Sequence, residues 1–113
     1  MVTLIEDYSF GKIVIDGKTY TDDVILLGKK VISEWWRKYG HELVVQDLEK
    51  IIEYEPEVLI IGTGSSGRLT IPSKVSRKLD FELESYPTKK AYRRYNELIE
   101  SDKKTAAGLH LTC

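Results

Sequence analysis

The stretch Val58-Leu59-Ile60-Ile61-Gly62-Thr63-Gly64-Ser65-Ser66-Gly67 decides the fold class. Val58 to Ile61 is apolar at every position, the pattern of a strand covered on both faces by other layers. It empties into Gly62, Gly64 and Gly67, spaced as G-x-G-x-x-G. That spacing matches a dinucleotide fingerprint, but the context does not. A fingerprint opens a long helix within the motif, because the pyrophosphate sits on that helix N-terminus. Here Gly67 is followed by Arg68-Leu69-Thr70-Ile71-Pro72, so a helix starts only several residues later. Glu82 stands near the offset of a ribose-binding acid, a coincidence that costs little in a chain this rich in glutamate. The motif also lies in mid-chain, with too little sequence after it for a second nucleotide half.

Two readings of the loop remain. The favoured one is a tight strand-to-helix crossover in which glycine supplies positive φ. The other is a concave anion nest, with backbone amides of Gly62, Thr63, Gly64, Ser65, Ser66 and Gly67, hydroxyls of the same segment, and Arg68 beside them.

Working outward, the N-terminal MVTLIEDYSF reads as a first strand; it has no basic n-region, signal core or Arg-rich presequence. Lys12 to Asp16 alternates around Ile13 and Ile15, Asp16-Gly17-Lys18 is a turn, and Lys18 to Tyr20 returns. Val24 to Leu27 is a short apolar strand closed by Gly28. Lys30 to Arg37, with Val31, Ile32, Trp35 and Trp36, predicts a strand from its β-branched and aromatic content. Asp47 predicts an N-cap for a helix through Tyr54, which Pro56 stops. Pro72 to Leu79 predicts a short helix and Phe81 to Glu84 a strand. A helix runs from about Pro87 to Glu100, with Ala91, Tyr92, Tyr95, Leu98 and Ile99 at helical spacing. Thr105 to Leu111 closes the sheet. Alternating strands and helices after a β-meander give an α/β fold: one domain over residues 1–113, three layers, a central mixed sheet.

The 113 residues suffice for one core without disulfides or a structural metal. A composition of 42% hydrophobic and 31% charged residues is globular, and a formal net charge of −1 provides no field toward nucleic acid or membrane. Lysine and glutamate dominate the charge, a mild hyperthermophile-like bias. The only cysteine, Cys113, excludes an internal disulfide and a multi-cysteine zinc site, which points to a reducing, cytoplasmic compartment. No apolar run approaches a membrane span.

Catalytic constellations are missing. The only histidines are His41 and His110, and Gly64-Ser65-Ser66-Gly67 is not the G-x-S-x-G of a nucleophile elbow. His110 and Cys113 as a metal pair would be two ligands only, so no metal and no cofactor is expected. Lys89, Lys90, Arg93 and Arg94 form a basic helix stripe, but Glu97 and Glu100 follow and no stacking aromatics interleave, so it reads as a solvated face. Trp35 and Trp36, if on a strand, point to opposite faces. An exposed tryptophan beside Arg37 and Tyr39 has the composition of an interface hot spot; packing of the second tryptophan under the 37–46 loop is the competing reading.

Several of these residues, taken in order, resemble a known family. Phe10-Gly11, Ile13, Gly17, Tyr20-Thr21-Asp22 and Trp36-Arg37 resemble the front half of the adipogenesis-associated single-domain protein family. Leu59-Ile60-Ile61-Gly62-x-Gly64, Leu69, Pro72-Ser73, Thr88, Tyr95-Asn96 and His110-Leu111-Thr112-Cys113 resemble its back half; the mitochondrial complex I assembly factor 3 family is a sister branch. The resemblance runs from Phe10 to Cys113. It implies a three-layer α/β fold, no established enzymatic activity, and protein–protein work such as assembly. The missing presequence departs from the mitochondrial branch and fits a prokaryotic, archaeal-type member.

These readings converge on a non-enzymatic binding or assembly module, able to self-associate, that anchors a protein partner through Trp36 and Arg37. The alternative is a small-molecule binder or enzyme that holds an anionic group on Gly62 to Arg68, with Asp22, Tyr95 and Asn96 lining the pocket.

Overall fold

The computed structural model describes residues 4–112; Met1 to Thr3 and Cys113 lie outside the described residues. Two sheets and three helices form a mixed α/β domain, the fold class expected from the strand–helix alternation. The first sheet is an antiparallel meander of β1 (Ile5–Ser9), β2 (Lys12–Ile15) and β3 (Lys18–Tyr20). The second contains β4 (Val24–Leu27), β5 (Lys30–Ile32), β6 (Val58–Thr63), β7 (Glu82–Tyr86) and β8 (Thr105–His110), in the order β5-β4-β8-β6-β7. β6 runs parallel to both β7 and β8, whereas β4 is antiparallel to β5 and β8. The helices are α1 (Glu49–Tyr54), entered through a 3-10 turn over Val45–Leu48, α2 (Ser73–Ser76) and α3 (Thr88–Glu100).

The period-2 alternation of strands sorts the core into two clusters, one on each side of the five-stranded sheet. Val24 and Leu26 of β4, Val58 and Ile60 of β6, and Ala107 and Leu109 of β8 pack with Ala91, Tyr95, Leu98 and Ile99 of α3 and with Ile5, Ile13 and Ile15 of the meander. Ile25, Leu59, Ile61 and Ala106 face the other way, against Trp35, Leu43, Leu48 and Ile51 of the α1 region and Leu69 and Val75 around α2. Every residue of β6 and β8 is buried, which is why Val58 to Ile61 carries no polar side chain. Asn96 fastens the meander to α3: its side-chain oxygen accepts the Ile5 N–H at 3.0 Å and its amide donates to the Ile5 carbonyl at 2.8 Å.

Three local expectations are corrected. The strand expected from Lys30 to Arg37 ends at Ile32, because Glu34 adopts a left-handed conformation with φ 58° that no strand continues through. Asp47 is not the N-cap of α1. It sits at the third position of the 3-10 turn and reaches back to accept the N–H groups of Val44 and Lys38. Pro87 precedes the first turn of α3 with extended backbone rather than lying within it.

Gly108 lets the two halves of the core close. A Cβ there would stand 2.7 Å and 2.9 Å from the Trp35 ring carbons Cη2 and Cζ3, and 3.3 Å from Ile61 Cδ1. Trp35 is only 7% exposed and its indole N–H donates to the Asp47 carbonyl, so the ring cannot retreat. Gly108→Ala is therefore expected to destabilise the fold by roughly 1–3 kcal/mol through overpacking, read as a lower urea midpoint at unchanged slope.

Candidate functional site

The parallel strands β6 and β8 end side by side, Thr63 opposite His110, and the glycine loop leaves the sheet at this edge. Ligand sites in open α/β sheets form beyond such carboxyl ends. What gathers here is a buried cluster of charge. The Asp23 carboxylate, immediately before β4, accepts from Arg37 Nη1 at 2.6 Å through Oδ2 and from the Leu111 N–H at 2.8 Å through Oδ1. His110 Nδ1 lies 2.8 Å from Asp23 Oδ2 and 3.0 Å from Arg37 Nη2. One ring nitrogen cannot donate to the first and accept from the second. The shorter, carboxylate-directed contact assigns the proton to Nδ1, donating to Asp23.

The side chains of Arg37, His110 and Asp23 keep only 7%, 8% and 16% of their surface exposed. Burial alone would push the Asp23 carboxyl upward. The donors from His110, Leu111 and Arg37 outweigh it and hold the group below the ordinary aspartate range. The Arg37 guanidinium also lies 4.9 Å from the centre of the Trp35 ring. Arg37 Nε and His110 Nε2 are buried without a hydrogen-bond partner. His41 presents its ring edge-on to His110, with centroids 6.3 Å apart. Among the described residues no cluster of three or more metal-ligating side chains occurs.

The glycine loop spends its amides internally. Gly64 N–H donates to Thr88 Oγ1, Ser65 N–H to the Thr112 carbonyl, Gly67 N–H to the Gly64 carbonyl and Leu69 N–H to the Thr63 carbonyl. Thr88 Oγ1 donates in turn to the His110 carbonyl at 2.6 Å, and Thr63 Oγ1 donates to the Tyr86 carbonyl. Gly64 and Gly67 take φ of 102° and 68°, values that favour glycine. Gly62 is required for a different reason: a Cβ would come within 2.9 Å of Leu109 and of Thr88 Oγ1 and 3.3 Å of the Thr88 backbone. Ser65, Ser66, Gly67 and Arg68 are exposed. The loop is thus bolted to the start of α3 and to the residues after β8.

The remaining candidates are scattered. Asp22 is exposed, and its neighbour Asp23 is the residue in the cluster. Tyr95 is fully buried, with its hydroxyl 3.2 Å from the Gly28 carbonyl. That places it at the other end of the sheet, since Leu27 pairs with Ala106 at the start of β8. Burial raises the Tyr95 phenol above its ordinary pKa. Asn96 is engaged by Ile5. Trp36 is 80% exposed, whereas Arg37 points inward. Tyr39 is 50% exposed. On the basic stripe Arg94 pairs with Glu84 and Glu97. Cys113, considered with His110 as a metal pair, is outside the described residues. Sequence reasoning missed Asp23; its position directly before an apolar strand, where a carboxylate is drawn into the protein only if paired, was the available signal.

The fold and this cluster define a small α/β domain with a buried ionic cluster at its strand ends. Residues 5–110 match the model of a protein family of unknown function, DUF498/DUF598, and the chain belongs to that family. Its structure is similar to that of a conserved hypothetical protein from Pyrococcus horikoshii OT3, at 29% identity and a TM-score of 0.84 over 96% of this chain and 98% of the other. It is also similar to the protein MT938, at 28% identity and a TM-score of 0.82 over 98% of this chain and 99% of the other. A Bordetella pertussis protein described as a Mth938-like domain shares the fold at 15% identity, with a TM-score of 0.65 over 96% and 85%.

Removing the carboxylate leaves Arg37 charged and buried. Asp23→Ala is expected to cost on the order of 3–5 kcal/mol, toward the lower end because the carboxylate is partly exposed. Because the folded pKa of Asp23 is depressed, its stabilisation is complete above the unfolded value of about 3.9 and is lost as pH falls through the folded value. Urea midpoints compared at neutral and strongly acid pH should therefore converge between wild type and Asp23→Asn as the solution is acidified.

Proposed function

We propose that this protein is a non-enzymatic partner-binding module whose docking surface is centred on Trp36. The observation that carries this reading is the contrast within one tripeptide. Trp35 is driven into the core against Gly108 and Arg37 is held by Asp23, so Trp36 between them stands out at 80% exposure. A large aromatic displayed on backbone that is anchored on both sides loses little entropy when a partner covers it. Exposed Tyr39 extends the same segment with a second aromatic. Arg37, the other residue expected in the anchor, serves here as a positioning residue for Trp36. The resemblance to adipogenesis-associated and complex I assembly factor 3 proteins points the same way, toward assembly work. The competing reading, an anionic ligand on Gly62 to Arg68, has less support because four amides in and beside that segment already have acceptors.

The test is affinity capture with wild type and Trp36→Ala in parallel, with thermal melts to establish folding. The expected result is a variant with an unchanged melting temperature whose capture of its partner falls by roughly tenfold or more, the scale of a hot-spot residue. A folded Trp36→Ala that captures as well as wild type overturns the proposal.

A further inference from the structure

Beside Trp36 the surface is hollowed into a cavity of about 180 Å³. Ile25, Ile32 and Trp35 supply its apolar lining, and Trp36 borders it. The charged groups around it are Glu34, Asp47, Glu49 and Lys50: three carboxylates against one ammonium, a formal charge of −2. Asp47 is committed to the N–H groups of Lys38 and Val44. Glu34 and Glu49 take part in no ion pair among the described residues, and neither does Lys50. The nearby Lys38 ammonium turns toward the Tyr39 ring, 5.7 Å from its centre. Glu34 occupies its place at φ 58°, a conformation glycine would hold without strain.

An exposed indole face, an apolar lining and two free carboxylates are together the complement of a cation with an apolar stem. The protein uses this same combination internally, where the Arg37 guanidinium lies over Trp35 with the Asp23 carboxylate as its counter-ion. We infer that the cavity receives a basic side chain presented by a protein partner, with Trp36, Glu34 and Glu49 as its recognition elements. The inference rests on the Trp36 docking surface and adds the chemistry of what docks there. Arginine fits better than lysine: its planar guanidinium stacks on indole and engages a carboxylate through two parallel donors, whereas an ammonium offers a point charge.

A capped tetra-arginine peptide is the probe, with tetra-lysine and tetra-glutamate peptides as comparators. Binding is followed by amide chemical-shift changes and tryptophan fluorescence. Tetra-arginine should shift the resonances of Glu34, Trp36 and Glu49, bind more tightly than tetra-lysine, and weaken as salt is raised. Glu34→Gln with Glu49→Gln should weaken it at least tenfold at unchanged melting temperature. Glu34→Gly, which relaxes the left-handed residue, removes one carboxylate without endangering the fold and should weaken binding in the same direction. Equal binding by the double variant, equal binding of tetra-glutamate, or no binding up to about 1 mM overturns the inference. Partner capture separates the two proposals. If Trp36→Ala abolishes capture and the glutamate variants do not, the docking surface stands and the basic ligand falls. If Trp36→Ala changes nothing, both fall.

Discussion

The Asp23 carboxylate ties together three pieces of chain at one end of the sheet: the entry to β4, the segment that carries Arg37 and the end of β8. It accepts from Arg37, from His110 and from the backbone of Leu111, spanning as many as 88 positions in sequence. A charge in this setting is stable only while all its donors are in place, because burying an unpaired ion costs far more than the pair returns. The carboxylate thereby acts as a geometric constraint. Together with the Trp35 N–H on the Asp23 carbonyl and the Trp35 indole N–H on the Asp47 carbonyl, it sets which of the two tryptophans is inside. The exposure of Trp36 depends on interactions that Trp36 does not make.

The glycine loop belongs to the same frame. The glycines answer a geometric problem: a strand buried on both faces must turn sharply where two other backbones approach. Thr88 Oγ1 accepts the Gly64 N–H and donates its own hydrogen bond to the His110 carbonyl, so the start of α3 closes the turn. The crossover needs these glycines for positive φ and for close approach, which are requirements of folding.

Much of the fold was legible because burial on two faces and helical periodicity leave direct marks: β6 and α3 lie where the apolar patterns place them. The end of β5 was not legible, since one left-handed residue, Glu34, overrides the strand propensity of the tryptophans after it. Asp47 looked like an N-cap because its residue type is right, but the turn that uses it is a 3-10 turn in which the carboxylate reaches backward. The ionic cluster left only the faint signal of a carboxylate placed directly before an apolar strand. Asp22 and Asp23 are identical in type, and the choice between them is made by the register of β4 against β8. His110 and Arg37 stand 73 positions apart, a pairing that carries no local signal. Tyr95 and Asn96 were placed correctly on α3, yet their polar atoms serve the scaffold at Gly28 and Ile5.

The strand order has a consequence for how the molecule comes into being. β8 is the last strand in chain order and lies between β4 and β6, pairing with both. During synthesis the hairpin of β4 and β5 and the parallel pair of β6 and β7 therefore emerge with no strand between them, each exposing an unsatisfied edge. The centre of the sheet is the last part to emerge, so completing the sheet waits for contacts of long sequence separation. Until then the open edges invite pairing with other chains.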